Sequence, residues 1–289
     1  VTGAASKRPG AWRLDRVALN VADLDSSVCF YCQALHFVIA QPQRADPVLA
    51  ELLGVRAVQT VRLLRGKQIL ELSMCDPPGA PMPADSQSND AWFQHCALVT
   101  GDIAGDHQLL QRFNFKPISR AGPQKLPGGI TAFKFRDPDG HPLELISFPT
   151  PDPETVGGID HSAICVADPA RSIAFYGERL GLAVKARQVN RGPAQDALDD
   201  LDEAVVDVVA LAPAIAAPHV ELLSYRQPAG RRSAPAHPSD IASGRLVFAS
   251  IGATNEARAA PEYTGKDLEL LNDPDSHAIL LSAKEAVLF

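Results

Sequence analysis

The strongest constraint on this chain is that it repeats itself. Leu14-Asp15-Arg16-Val17-Ala18-Leu19-Asn20-Val21-Ala22-Asp23 lies in register with Ile159-Asp160-His161-Ser162-Ala163-Ile164-Cys165-Val166-Ala167-Asp168, 145 residues later. The match continues through Ser27-Val28-Cys29-Phe30-Tyr31 against Ser172-Ile173-Ala174-Phe175-Tyr176, and through Leu35-His36-Phe37 against Leu180-Gly181-Leu182. Self-similarity of this kind restricts the architecture before any single element is assigned. Each copy reads as a strand, a capped helix and a further strand. In the second copy His161, Ala163 and Cys165 share one strand face, because side chains alternate with a period of two. Asp168 then stands at an N-cap and Pro169 at the first helical position. The helix follows over Ala170 to Leu180, and Gly181 takes the left-handed C-cap.

Two further units share the plan. Trp92 to Val99 opens one of them, with a helix over Asp106 to Phe113 and a strand over Ala132 to Arg136. The turn Asp137-Pro138-Asp139-Gly140-His141 then leads into a closing strand, Leu143 to Ile146. Gly244 to Ala249 opens the other, with the turn Asp273-Pro274-Asp275-Ser276-His277 before Ala278 to Leu281. Proline sets φ at such a turn and glycine tolerates the positive φ it needs. The closing strands of the two longer units are Gln68 to Met74 and Pro218 to Tyr225. Units one and three match each other, as do two and four, which is the pattern left by duplicating a two-unit ancestor. Stretches rich in Pro, Ser, Gly or charge at 76–90, 148–158 and 227–239 read as linkers, and residues 1–11 as a loose tail. The expected class is α+β, with helices outside curved sheets. The units span 12–75, 90–149, 157–226 and 240–284, grouped into domains 12–149 and 157–284.

A chain of 289 residues with 46% hydrophobic content can bury a substantial core. Its net charge of -7 argues against a nucleic-acid partner, and no basic run makes a local exception. No apolar run approaches the roughly 18 residues a membrane span needs. Val1 to Arg13 lacks a signal-peptide core, so the expected location is the cytoplasm. The 5 cysteines form no disulfide framework. Cys29 and Cys32 are spaced as a C-x-x-C but fall inside a helix with no second pair, and read as packing residues.

Each unit supplies two positions of interest, one in its opening strand and one in its closing strand. They are Arg16 and Glu71, His95 and Glu144, His161 and Glu221, and Arg245 and Leu280. A carboxylate amid aliphatic neighbours costs several kcal/mol to bury unless a cation or metal meets it. A single strand-end histidine is ordinarily a satisfied or exposed side chain, and a single strand glutamate ordinarily faces water. Two His–Glu pairs at equivalent repeat positions are harder to dismiss. Imidazole nitrogen with carboxylate oxygen is a donor set for Fe, Mn, Ni, Co or Zn. Arginine has no free lone pair, so Arg16 and Arg245 are not ligands. They either pair with Glu71 or bind an anion. His219 and Tyr225 share a strand face with Glu221 and are candidates for acid–base or substrate-orienting roles. Asn190, Gln195 and Asp196 read as a solvated loop, His141 and His277 as turn residues, and His36, His107 and His237 as surface or loop positions.

The βαβββ-type units, the Val-Ala-Asp helix entry with its Phe-Tyr pair, and the Asp137-Pro138-Asp139-Gly140-His141-Pro142-Leu143-Glu144-Leu145 hairpin resemble the vicinal oxygen chelate superfamily. That group includes glyoxalase I, extradiol ring-cleaving dioxygenases and bleomycin-resistance proteins. The resemblance runs from about Leu14 to Ser282. It implies that units pair into two cup-shaped mixed sheets, and that a divalent metal takes ligands from the opening and closing strands of two units. It also implies a small-molecule substrate with vicinal oxygens and a homodimer. Four-unit ring-cleaving enzymes usually hold iron between the last two units, but here unit four offers only Arg245 and Leu280. Pairing unit one with two gives Glu71, His95 and Glu144. Pairing two with three gives His95, Glu144, His161 and Glu221, a complete set resembling that of glyoxalase I, with Glu144 or Glu221 able to act as base. Isomerase or lyase chemistry, extradiol cleavage and metal-free sequestration of a drug all stay open at this point.

Overall fold

The computed structural model describes residues 12–153, 155–213, 218–232, 237–250 and 267–283. The tail expected at 1–11, the segment 251–266 where unit four would place its helix, and position 284 lie outside the described residues. Unit one comprises β1 (Trp12–Asn20), α1 (Leu24–Leu35), β2 (Val38–Ala45), α2 (Pro47–Leu53), β3 (Ala57–Arg65) and β4 (Gln68–Asp76). Unit two comprises β5 (Gln94–Val99), α3 (Ile103–Leu110), the short β6 (Lys116–Pro117) and β7 (Gln124–Lys125), β8 (Thr131–Arg136) and β9 (Pro142–Ser147). Unit three repeats unit one as β10 (Ile159–Cys165), α4 (Pro169–Leu180), β11 (Ala183–Arg191), α5 (Pro193–Asp199), β12 (Val205–Ala212) and β13 (His219–Gln227). Unit four contributes β14 (Arg245–Ser250), β15 (Leu268–Asn272) and β16 (Ala278–Ser282).

The local signals behave as their chemistry requires. Asp168 accepts from the Ala170 and Arg171 amides at the start of α4, and Gly181 ends it at φ 70°. Asp23 caps α1 in the same way, with His36 taking the left-handed position at φ 60°. The helix of unit two begins and ends three residues earlier than its periodicity suggested. Asp102 sets its start by accepting from the Gly105 amide. Sequence alone did not reveal α2 and α5, each a seven-residue helix opening on a proline.

Two mixed sheets result. One has seven strands in the order β15-β16-β14-β1-β4-β3-β2, joining unit one to unit four. The other has the order β11-β12-β13-β10-β5-β9-β8-β6, with β7 beside β8, and joins unit two to unit three. Antiparallel pairs β1–β14 and β5–β10 lie at the centres of the two sheets. One face of each sheet contributes to a single apolar core, in which Leu19, Leu72, Leu98 and Ile164 meet Tyr31, Leu110 and Tyr176 of α1, α3 and α4. The opposite faces are treated differently. In the seven-stranded sheet α2 fills the hollow, Leu49, Ala50 and Leu53 packing on Ala18, Val247 and Leu280. In the other sheet α5 covers one side, Leu198 meeting Ala97 and Ala132, and a cavity of about 650 Å³ remains.

The two Asp-Pro-Asp turns act as clamps across the other unit boundaries. Asp137 accepts from the Tyr31 hydroxyl at 2.8 Å, and Asp139 accepts from the Ala22 amide and the Ser27 hydroxyl, at 3.2 and 3.3 Å. The second half repeats this, with Asp273 taking the Tyr176 hydroxyl at 3.1 Å and Asp275 the Ala167 amide at 3.0 Å. His141 and His277 lie in these turns but are buried, bonded to Asp137 and to the Cys165 carbonyl. Gly140 has φ 97°, while Ser276 bears the left-handed geometry at φ 74° in the matching turn. The turn motif is therefore a docking device for the helix of the neighbouring unit. Asp137→Ala is expected to cost about 2–4 kcal/mol, since it strands the buried Tyr31 hydroxyl and frees the turn amides. Urea unfolding would measure this, and a loss below about 0.5 kcal/mol would contradict the clamp.

No helix among the described residues is long and apolar enough to cross a membrane. Cys29 and Cys32 lie on α1 as free thiols, and the other three cysteines are free and buried.

Candidate metal centre

Sheet register brings the candidate residues together. In the β5–β10 pair His95 lies opposite Ala163 and Ala97 opposite His161. Ala97 also faces Glu144 on β9, and Ala163 faces Glu221 on β13. Residues directly opposite across a ladder share a face, so both histidines and both glutamates project into the same hollow. Two small alanines sit between them and leave the space open.

The four side chains converge. His95 Nε2 is 2.8 Å from Glu144 Oε2, and His161 Nε2 is 3.8 Å from that same oxygen and 3.6 Å from Glu221 Oε2. The ligand atoms of His95, Glu144 and His161 all lie within 4.8 Å of one another. Glu221 sits just outside this group, its second oxygen 3.4 Å from His219 Nε2. His161 Nδ1 is fixed by Asp160 Oδ2 at 2.9 Å, and His219 Nδ1 approaches that oxygen at 3.9 Å. Asp160, His161 and His219 also qualify as a donor group.

The residues fit a bound cation on two grounds. His95 Nδ1 is buried without a hydrogen-bond partner, and Nε2 meets only the Glu144 carboxylate, at 2.8 Å. A neutral imidazole has one lone-pair nitrogen, which is available to a cation, and a buried ring nitrogen left unpaired is costly. Carboxylates also crowd His161, with Glu144 buried and Asp160 and Glu221 partly buried around its ring. Burial pushes the Glu221 carboxyl up, but His161 and His219 outweigh that and hold it at about 2. Burial pulls His161 down, yet Glu221, Asp160 and Glu144 raise it to about 9. His95 is driven the other way, lowered by burial and by Lys134 against the pull of Glu144. Their neighbours thus drive the two histidines in opposite directions. Two imidazoles with two carboxylates suit Zn, Mn, Fe, Co or Ni.

Tyr225 lines the same cavity, and its hydroxyl donates to Asp199 at 2.8 Å. Gln195 does not lie in a solvated loop. It is buried on α5 and donates to Asp199 at 2.6 Å, while Asn190, on β11, also lines the cavity. Asp196 caps locally by accepting from the Ala204 amide. Asp160, Lys134 and Asp199 were not singled out from sequence. Lys134 had a signal, as a lysine at an inward position of an alternating strand, whereas Asp199 depends on the unforeseen helix α5.

The other hollow is closed. Glu71 Oε2 accepts from Arg16 Nε at 2.9 Å and from Arg62 Nε at 2.8 Å. Arg245 donates to Asn20 and Ser73 at 2.7 and 2.9 Å. Of the two readings of these arginines, pairing with Glu71 accounts for Arg16.

A family model described as the Glyoxalase/Bleomycin resistance protein/Dioxygenase superfamily matches residues 13–145 and 158–281. Among solved structures, glyoxalase I from Zea mays aligns with a TM-score of 0.62 at 18% identity, covering 94% of this chain and 92% of that one. A mutant of the same maize enzyme aligns at 0.63 with the same identity and coverage. A protein from Bacillus subtilis subsp. subtilis str. 168 with a provisional dioxygenase assignment aligns at 0.55 and 12% identity, covering 96% of this chain and 86% of that one. At such identities these likenesses concern the fold alone. No curated protein sequence gives a significant match.

Proposed function

The chain belongs to the glyoxalase/bleomycin resistance protein/dioxygenase superfamily, and on that premise we propose that the hollow between units two and three is a metal-dependent active site. The substrate is a small organic molecule with two neighbouring oxygens. His95, Glu144, His161 and Glu221 would hold a divalent ion (Fe, Mn, Ni, Co or Zn). When bound, such an ion supplies Lewis acidity that stabilises negative charge developing on substrate oxygen. The observation that carries the reading is the convergence of these donors, those of His95, Glu144 and His161 lying within 4.8 Å of one another and Glu221 3.6 Å from His161.

The protein's own groups have separate tasks. Asp160 fixes the ring of His161 through Nδ1, as carboxylates behind metal-ligating histidines do. Glu221 is the more exposed carboxylate, at 19% against 6% for Glu144. It is the ligand able to leave the ion, and once released it would take a proton from substrate carbon, with His219 beside it to pass that proton toward solvent. Tyr225 and Gln195 hold Asp199 in place on the cavity wall. A four-donor set favours proton-transfer chemistry, isomerase or lyase in type, over oxygen activation.

One observation favours a second reading. Glu221 stands apart from the tighter group of His95, Glu144 and His161, and two histidines with one carboxylate are the set used for oxygen activation on non-haem iron. Metal analysis of protein purified without chelator, then turnover of a hemithioacetal and oxygen uptake with catechols, separates the readings. The expected result is about one metal per chain and isomerisation without oxygen uptake. Oxygen uptake would favour the dioxygenase, and a metal-free protein would point to a non-catalytic binder of the resistance type. Asp160→Asn is expected to weaken metal binding about 10–100-fold with the fold intact. An unchanged affinity by chelator competition would remove Asp160 from that role.

A further inference from the structure

A second buried polar group faces the same cavity, and the proton-transfer chemistry does not use it. Lys134 on β8 lies directly across from Glu144 on β9, so their side chains emerge as neighbours on one face. The Lys134 ammonium donates to Asp199 at 2.7 Å, with the two side chains 4% and 0% exposed. Asp199 is held by three donors, since Gln195 and Tyr225 reach it as well. An ammonium carries three N–H donors. Asp199 takes one, and no other hydrogen bond to Lys134 Nζ occurs among the described residues.

Stability alone does not explain this lysine. A buried ion pair is commonly no better than apolar side chains of equal volume. Nor is it a base. Its nitrogen is held as a donor by the Asp199 carboxylate at 2.7 Å. Among the described residues lining the cavity the only other lysine or arginine is Lys185, on the exposed edge strand β11. The remaining lining is largely aliphatic, with Ile130, Ile146, Val206 and Val208 among it.

We propose that Lys134 is a substrate-binding residue, clamped by Asp199, that donates a hydrogen bond to an oxyanion carried on an apolar ligand body. The oxyanion is a carboxylate, enolate or phenolate, seated beside Glu144. The placement of the reacting oxygens rests on the metal-dependent reading, but the Lys134 contact is testable without it.

Benzoate and benzamide, matched in shape and differing in charge, are suitable probes for calorimetric titration of the full chain loaded with Zn²⁺. Lys134→Ala would leave Asp199 buried and unpaired, so the informative variant is the double substitution K134M/D199N, which removes both charges together. Thermal melting checks its folding, and chelator competition checks its Zn²⁺ affinity. Wild type is expected to prefer benzoate by about tenfold or more, because hydrogen bonds between charged groups are the stronger kind. The double variant is expected to keep Zn²⁺ and lose most of that preference. Equal binding of the two probes by wild type would overturn the proposal, whether or not the variant folds. A preference that survives in the variant would overturn it too, since benzoate would then be sitting on the metal. If wild type holds no Zn²⁺, the metal reading fails separately. The same titrations on metal-free protein then decide Lys134, by loss of the preference in its favour or by persistence against it.

Discussion

Replacing His161 with alanine is expected to lower Zn²⁺ affinity by about two orders of magnitude. Structural zinc sites with four protein ligands bind with roughly 10–16 kcal/mol, so one ligand's share is about 3 kcal/mol, or some two decades. His161 stands at the meeting point, with Nε2 within 3.8 Å of Glu144 and 3.6 Å of Glu221. His219 is the natural control. It is only 5.3 Å away between ring centroids, but its nitrogens face Glu221 and Asp160, at 3.4 and 3.9 Å. His219→Ala should therefore cost less, about tenfold, because it touches a ligand and not the ion. Competition against a chromophoric chelator measures both. Equal losses in the two variants, or none in His161→Ala, would show that the ion is not held where these donors meet.

Glu71→Gln is expected to destabilise the chain by about 3–5 kcal/mol, the usual cost of breaking a buried ion pair by removing one partner. Glu71 is 2% exposed and takes hydrogen bonds from Arg16 and Arg62, with Arg245 also acting on it. Without its charge three buried guanidinium groups repel one another across the closed hollow. The effect carries a pH signature. Burial pushes the Glu71 carboxyl up, but the arginines outweigh that and lower it from an ordinary 4.5 to about 2. A carboxyl depressed by folding contributes stability that is fully present above its unfolded value and is lost as pH falls through its folded one. The gap between wild type and Glu71→Gln should thus be widest above pH 4.5 and shrink toward pH 2. Urea unfolding across that range tests it, and a gap that ignores pH would contradict the assignment.

The repeat was the most legible part of the fold. It foretold the opening strands, the Asp23 and Asp168 caps and the Asp-Pro-Asp turns, because these rest on local chemistry that a strand period or a cap residue displays. Segments α2 and α5 escaped because seven residues opening on proline look like a turn in a polar stretch, and their helicity depends on the hollow they pack into. Their absence also hid why the two hollows differ, one filled by Leu49 and Leu53 and the other left open beside Leu198. The pairing of units was not settled by pattern. The ladder of β5 against β10 is a long-range choice, and only the count of donors hinted at it. In the site, His95, Glu144, His161 and Glu221 stood out because each breaks an apolar pattern at an equivalent position. Asp160 did not, because an acid at a strand entry is ordinary until its oxygen is seen 2.9 Å from His161 Nδ1. His141 and His277 were rightly placed in turns, but their burial follows from helices packed over them.

The most direct measurement is an anomalous-scattering map from a crystal of the protein soaked in Zn²⁺. One ion is expected in the hollow between units two and three, bonded to His95, Glu144, His161 and Glu221 at about 2.0–2.2 Å. A map with no ion in that hollow, or with one that touches neither His95 nor His161, would contradict it.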